Sequence, residues 1–341
     1  MSEPPPGFAE PGADWRAFVA GLSDAKARRL ARRAAAPPLF AHAYAFHLNL
    51  RFGAMVPTDL LTFAAIHGLS GVKIHVQDGE ARSLLNAPDA DRRAFGALAA
   101  QLGLAVHVET SSTEAPDLLE TAAIAQSTGA TSLRFYPRHA GPLSEVLAQT
   151  VADLAILDRL DPAGRLTFTL EQHEDLKSSE LLSILNRVSH PRLSLLFDFG
   201  NMINAGETPL AALAAQAPRV TEVHVKDARA LPDRGGWAHE ACETGTGHLP
   251  MRAMLAQLLL LGEDRPQVTA FGLEEEEGYF APAFRFPNEG PDPLIPPRGP
   301  SETEPGQGDL HARLAREREL ATAQVGKVRG MLADLAAAAR R

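Results

Sequence analysis

Four residues of types suited to holding a hard metal ion stand at the ends of four successive apolar runs: Glu171, Asp198, His224 and Glu274. In the run 165–171, Leu166, Phe168 and Leu170 alternate with Thr167, Thr169 and Glu171. Side chains of a strand alternate between its two faces, so an outward apolar set turns Glu171 inward at the strand's tip. The same parity in 192–198 (Leu193, Leu195 and Phe197 outward) turns Asp198 inward. In 220–226, outward Val223 and Val225 turn Glu222, His224 and Lys226 inward, and in 267–274, outward Phe271 and Leu273 leave Gly272 and Glu274. Three carboxylates brought to one small volume repel strongly at low dielectric, and a divalent cation relieves that repulsion. Three carboxylates with one imidazole suit Mn2+, Mg2+ or Co2+, whereas structural zinc wants a thiolate cluster that this chain lacks. The last carboxylate stays open among Glu274, Glu275, Glu276 and Glu277, because a slip of one residue reverses each side chain's direction.

Positioning such a set requires alternating strands and helices. Strands are expected at 41–48, 71–76, 104–109, 131–136, 165–171, 192–198, 220–226 and 267–274, from short runs rich in Val, Ile, Leu and Phe. Helices are expected at 14–35, 57–67, 88–102, 114–127, 142–159, 177–188, 207–216, 249–261 and 308–340. Eight strands alternating with helices imply an α/β fold, a single closed (βα)8 TIM barrel with an N-terminal helix and a C-terminal Pro-rich loop plus helix. The expected division is a disordered segment and helix over 1–36, with the first dozen residues loosely attached, and the barrel with its extension over 37–341. Two insertions, 227–248 and the Pro-rich 278–307, leave strand C-termini as long loops without structure of their own, where barrel enzymes carry covers over their sites.

The earlier strands supply the substrate side. His47, His75, His107, Glu109 and Arg134 fall near strand ends, with His107 and Glu109 on one face. Arg134 and Lys226 have the chemistry to hold a carboxylate, a phosphate or a developing enolate oxygen, or to form structural salt bridges.

Composition excludes several classes. The net charge of −9 is the wrong sign for a nucleic-acid partner. No apolar run reaches the roughly 18 residues of a membrane span, and the acidic, Pro-rich start does not resemble a signal peptide. The single cysteine, Cys242, excludes an internal disulfide and fits a reducing compartment, so a cytoplasmic location is expected. A small molecule is the expected partner.

The motifs Leu170-Glu171-Gln172-His173, Phe197-Asp198-Phe199-Gly200-Asn201, Val223-His224-Val225-Lys226-Asp227, Gly245-Thr246-Gly247 and Gly272-Leu273-Glu274 resemble, in order, those of the xylose isomerase-like barrel superfamily, its sugar phosphate isomerase/epimerase branch. The resemblance spans about 40–275. It implies that Glu171, Asp198, His224 and Glu274 bind a divalent metal and that Glu171 and Glu274 form an acid/base pair. It also sets His173 among the substrate-binding candidates with His47, His75, His107, Arg134 and Lys226, and implies association into a homo-oligomer. The implied activity is isomerisation or epimerisation of a small sugar or sugar-acid carbonyl compound through an enediolate. Many keto-sugar epimerases of the group carry a histidine where this chain has Asn201 and an arginine where it has Ala230. That departure, with a weaker resemblance to acid-sugar catabolic enzymes around Glu171–Leu176, raises a second expectation: a metal-dependent decarboxylase, a lyase acting on a 3-oxo sugar acid. An endonuclease of the same superfamily is disfavoured by the net charge, and a barrel that only binds a sugar or a protein remains the non-enzymatic alternative.

Overall fold

The computed structural model describes residues 14–297 and 309–340. Eight parallel strands close into one barrel: β1 (Leu39–His42), β2 (Gly71–His75), β3 (Ala105–Glu109), β4 (Ser132–Phe135), β5 (Thr167–Glu171), β6 (Leu193–Asp198), β7 (Val220–Val225) and β8 (Ala270–Leu273). Closure pairs β1 with β8 in the register Leu39 to Phe271 and Phe40 to Gly272. Outward Val, Leu and Phe side chains such as Phe168, Leu170, Phe197, Val223 and Val225 are fully buried beneath the surrounding helices. This is the single (βα)8 TIM barrel expected from the alternation.

Three expected elements differ. The first strand ends at His42, not at residue 48; Ala43–Phe46 is a 3-10 turn and His47–Arg51 a short helix, so His47 stands on a helix beyond the strand. The expected helix 14–35 is two, Trp15–Ala20 and Asp24–Ala35, and the Asp14 carboxylate caps the first by accepting from the Arg16 and Ala17 amides. The expected helix 142–159 is Leu143–Asp153 followed by two short turns. The first dozen residues and 298–308 of the Pro-rich segment lie outside the described residues.

The insertions carry structure after all. Asp227–Asp233 and Gly236–Cys242 form an antiparallel hairpin across a two-residue turn, where Arg234 and Gly235 both take positive φ. That is the turn that matches strand twist. After β8, Phe280–Ala281 adds a third strand to this hairpin, and Leu294–Ile295 pairs with Gly141–Pro142 across the mouth. The buried Arg285 fixes this cover through a forked pair to Glu180 (2.7 and 2.8 Å) and through Glu289 (2.9 Å from Nε). Sequence periodicity misses such pairing because each partner segment is short and distant in the chain.

The final helix, Leu310–Ala338, braces the mouth from outside. Its buried Glu317 accepts from the Leu48 and Asn49 amides (2.7 and 2.9 Å), capping the short His47 helix. Its Gln324 donates to the Val225 carbonyl (2.9 Å) and accepts from the Glu275 amide (3.1 Å), so it ties the ends of β7 and β8 together.

Candidate active site

The barrel interior is charged rather than filled with branched apolar layers, the usual solution. On its floor, buried Glu222 of β7 accepts from Lys73 of β2 and Ser132 of β4 and lies 3.0 Å from His107 Nδ1. Lys73 fits only because Gly272 lacks a side chain: a Cβ there would sit 2.6 Å from the lysine Cδ. Above this pair, Glu109 of β3 receives Lys73 Nζ at 3.4 Å, His42 Nε2 at 3.0 Å, His224 Nε2 at 3.1 Å and the Arg134 guanidinium.

At the mouth, Glu171, Asp198 and His224 offer ligand-type atoms that all lie within 4.8 Å of one another. Glu274 follows β8, with Oε2 3.3 Å from His224 Nδ1. Asp198 Oδ1 is held by the Gly200 and Asn201 amides (2.7 and 2.8 Å), which leaves Oδ2 facing the cluster. His224 is oriented the same way: Nε2 meets Glu109, and Nδ1 faces the carboxylates. Each of the four keeps one buried atom without a hydrogen-bond partner: Glu171 Oε2, Asp198 Oδ2, His224 Nδ1 and Glu274 Oε2. Buried polar atoms are seldom left so, and four converging ones fit a hard divalent cation. A second group of donor atoms, His42, Glu109 and His224, lies just below, but its members already bond each other.

The four carboxylates following β8 separate cleanly. Glu274 faces the cluster; Glu275 turns to the Thr244 amide (3.0 Å); Glu276 returns to Lys226 (2.8 Å); Glu277 points to Arg313 and Arg316 (3.9 and 3.6 Å).

The electrostatics of the cluster are frustrated. Burial, with Glu274 and Glu171 nearby, outweighs Lys226 and pushes the Asp198 carboxyl up to about 7. Burial opposes charge on His224, yet Glu274, Glu109 and Glu171 hold its imidazole up, to about 10. Burial and Glu274 likewise push Glu276 up to about 8 despite Lys226. Glu171 and Glu274 go the other way: burial opposes their charge, but Arg134 and His224 for the first, and His224 and Lys226 for the second, keep both below the usual carboxylate range. The Lys226 ammonium forms ion pairs with Asp198 Oδ2 (3.1 Å) and Glu274 Oε2 (3.0 Å), and Arg134 Nε with Glu171 Oε2 (3.1 Å), so cations of the chain carry part of the neutralising charge on oxygens that lack a hydrogen bond.

A cavity of about 450 Å³ opens above the cluster. Among the sequence candidates, His47, His75, Arg134, His173 and Lys226 line it. His107 does not: it is buried on the floor against Glu222, too deep to meet a substrate. Arg134 is taken up by Glu109 and by Glu171 (Nε to Oε2 3.1 Å), and Lys226 by three carboxylates. The Cys242 thiol is buried and pushed up to about 12 by burial and Asp227, which keeps it protonated.

Several lining groups escaped the sequence reading. His42 was hidden by the misplaced first strand, whose true end it occupies. Tyr136, stacked on His173 at 3.9 Å, and Arg138 lie just past β4, where alternation no longer applies. Tyr279 roofs the cavity from the cover, with its hydroxyl on Glu174. Behind the lining, His239 of the hairpin is fully buried 3.6 Å from Glu276; burial drives its imidazole down to about 3. It fills the space over Gly200, where a Cβ would come 2.7 Å from its ring.

Residues 61–270 match the family described as xylose isomerase-like TIM barrel. Over 310 residues, 91% of this chain and 95% of the relative, the chain is 49% identical to the uncharacterized protein YihM of Escherichia coli (strain K12). A shorter likeness, 31% identity over 87 residues, covers 25% of this chain and 32% of a 3-oxo-isoapionate decarboxylase from Pectobacterium atrosepticum. Among solved structures, the IOLI protein with a bound zinc atom aligns with a TM-score of 0.56 at 13% identity, over 85% of this chain and 98% of that one; this likeness concerns the fold. No helix among the described residues is long and apolar enough to cross a membrane.

Proposed function

Because the chain belongs to the xylose isomerase-like TIM barrel family, we propose that it is a divalent-metal-dependent isomerase or epimerase of a small sugar or sugar-acid carbonyl compound. The observation that carries this reading is the convergence beneath one cavity of Glu171, Asp198, His224 and Glu274, each with a buried atom that makes no hydrogen bond. These four residues would hold Mn2+, Mg2+ or Co2+, hard ions suited to three carboxylates and an imidazole. The bound ion supplies Lewis-acid polarisation of a carbonyl.

The chain's own residues do the rest. Glu171 and Glu274 both line the cavity and both stay ionised, the state a base needs to take a proton from a carbon next to a carbonyl. One removes the proton and becomes a carboxylic acid; the other, first protonated from solvent, returns a proton to a neighbouring position. His47, His75 and His173 border the space a polyol would fill, and Tyr279 covers it from solvent. Lys226 donates to Asp198 and Glu274 and so holds these two carboxylates in place beneath the cavity.

A second reading rests on the local likeness to a 3-oxo-isoapionate decarboxylase and on Asn201 and Ala230. In it, a 3-oxo sugar acid loses CO2: the carbon–carboxylate bond breaks, its electron pair delocalises into the 3-carbonyl, and a proton taken up from solvent and passed on by Glu171 or Glu274 replaces the carboxylate.

The deciding experiment measures metal content in the purified protein beside Asp198→Ala. About one Mn, Mg or Co per chain, lost in the variant, is the expected result; no uptake by either protein after incubation with each ion overturns the proposal. Solvent-tritium exchange into a keto sugar then marks isomerisation, and CO2 release from a 3-oxo aldonate marks the second reading.

A further inference from the structure

The cations around the cavity fall into two kinds. Arg134 and Lys226, which were the sequence candidates for holding an anion, are surrounded by carboxylates and have little left to give. Arg138 is different. Among the described residues its one hydrogen bond runs from a terminal nitrogen to the Tyr136 hydroxyl at 3.2 Å, no carboxylate lies within ion-pair distance, and its Nε is buried without a partner. A guanidinium has five donors in a planar fork; the side chain is half-buried, and its Nε is the donor cut off from water without an acceptor.

Its neighbours are pre-arranged. The Tyr136 hydroxyl donates to Ser111 Oγ at 2.7 Å, and His75 Nε2 lies 3.0 Å from the same oxygen, so the side chains beside Arg138 are fixed by one another. The Tyr136 ring is flanked by both guanidiniums, Arg134 at 5.3 Å and Arg138 at 5.6 Å from its centroid, which sets Arg138 outward of the paired arginine. All of these groups line the cavity on the β2–β4 side, whereas Glu171 and Glu274 reach it from β5 and from the end of β8.

We infer that Arg138 binds a carboxylate on the substrate, so that the natural substrate is a sugar acid whose carbonyl end faces the acidic cluster and whose carboxylate lies toward β4. This deepens the proposed function and rests on it for the orientation of the carbonyl end. Planar fork-to-carboxylate pairing satisfies both the unpartnered Nε and a terminal nitrogen at once. Of the titratable groups that line the cavity with Arg138, burial with Arg134 and Arg138 drives His75 down to about 3, leaving it neutral, and burial pushes Asp78 up to about 7, so these two oppose a bound carboxylate little.

The test is calorimetric binding of four- to six-carbon aldonates, of the matching neutral alditols and of xylulose 5-phosphate. Each is measured on wild type, Arg138→Gln and Arg138→Lys, with manganese binding followed separately by equilibrium dialysis. Aldonates should bind wild type about tenfold or more tighter than alditols, the size of one charge-assisted pairing. Arg138→Gln should erase that preference and leave alditol and manganese affinity unchanged, and Arg138→Lys should retain part of it. An aldonate preference that survives Arg138→Gln, a larger Arg138-dependent gain for the phosphate ester, or no binding of any aldonate overturns the inference. Absence of manganese binding with an intact Arg138-dependent preference instead overturns the metal-dependent reading alone.

Discussion

Two charged layers occupy the same barrel, and they differ in one respect. On the floor, Lys73, Glu222, His107 and Ser132 meet donor to acceptor, and none of their buried atoms lacks a partner. At the mouth, Glu171, Asp198, His224 and Glu274 each leave one atom without a hydrogen bond, and burial drives Asp198 toward its neutral form. A completed ion-pair network is scaffolding. An incomplete one of a single dominant sign is a site, because folding has assembled charges that only another charge can balance.

That contrast predicts opposite responses to mutation. The largest effect belongs to the floor: Glu222→Leu strands a buried lysine and should destabilise the fold by about 3–5 kcal/mol in denaturant titrations. At the mouth, Asp198→Ala should lose metal uptake at least a hundredfold while the chelated, metal-free protein melts no lower than wild type. A destabilisation as large as that of Glu222→Leu would erase the distinction between the layers.

Lys226→Met sharpens the comparison further. The ammonium competes with a cation for Asp198 Oδ2 and Glu274 Oε2, so its removal should tighten Mn2+ binding about tenfold and lower the metal-free melting temperature. Both shifts in the same sense, looser metal and lower melting, would mean that the lysine organises the site rather than stands in for an ion.

The smallest effect lies in the cover. Burial opposes charge on Glu289, but hydrogen bonds from Arg285 and Lys177 hold its carboxyl down to about 2. A depressed carboxyl contributes stability that is full above its unfolded value, about 4.3, and is lost as pH falls through the folded value near 2. Proteolysis of the 280–297 segment, by an acid protease at low pH and a neutral protease at pH 7, each normalised to an unstructured peptide, should therefore accelerate between pH 4 and 2, and Glu289→Gln should show the faster rate already at pH 7. A pH-independent rate would show that strand pairing alone holds the cover.

Much of this was legible in the chain. Period-two alternation is local, so the inward placement of Glu171, Asp198 and His224 on β5, β6 and β7 follows from their apolar neighbours, and eight such runs separated by helices imply closure. The first strand was misplaced because Ala43–Phe46 reads as an apolar run while folding as a 3-10 turn, which concealed His42 and moved His47 onto a helix. His107 shared the correct face with Glu109 but sat one layer too deep, a distinction of height that alternation does not contain.

The sequence by itself therefore determined the fold, the direction in which the strand-end side chains point, and the acidic character of the mouth, because each depends on neighbours within a few residues. Only the tertiary structure decided which charges are already paired. It set Lys73 against Glu222 from β2 and β7, spent Arg134 and Lys226 on carboxylates of other strands, and left Arg138 Nε without an acceptor. It also selected Glu274 from four consecutive glutamates, since the chain leaves β8 through a bend that sends each in a different direction. Such pairings join residues far apart along the chain, and they are set by strand register and barrel closure.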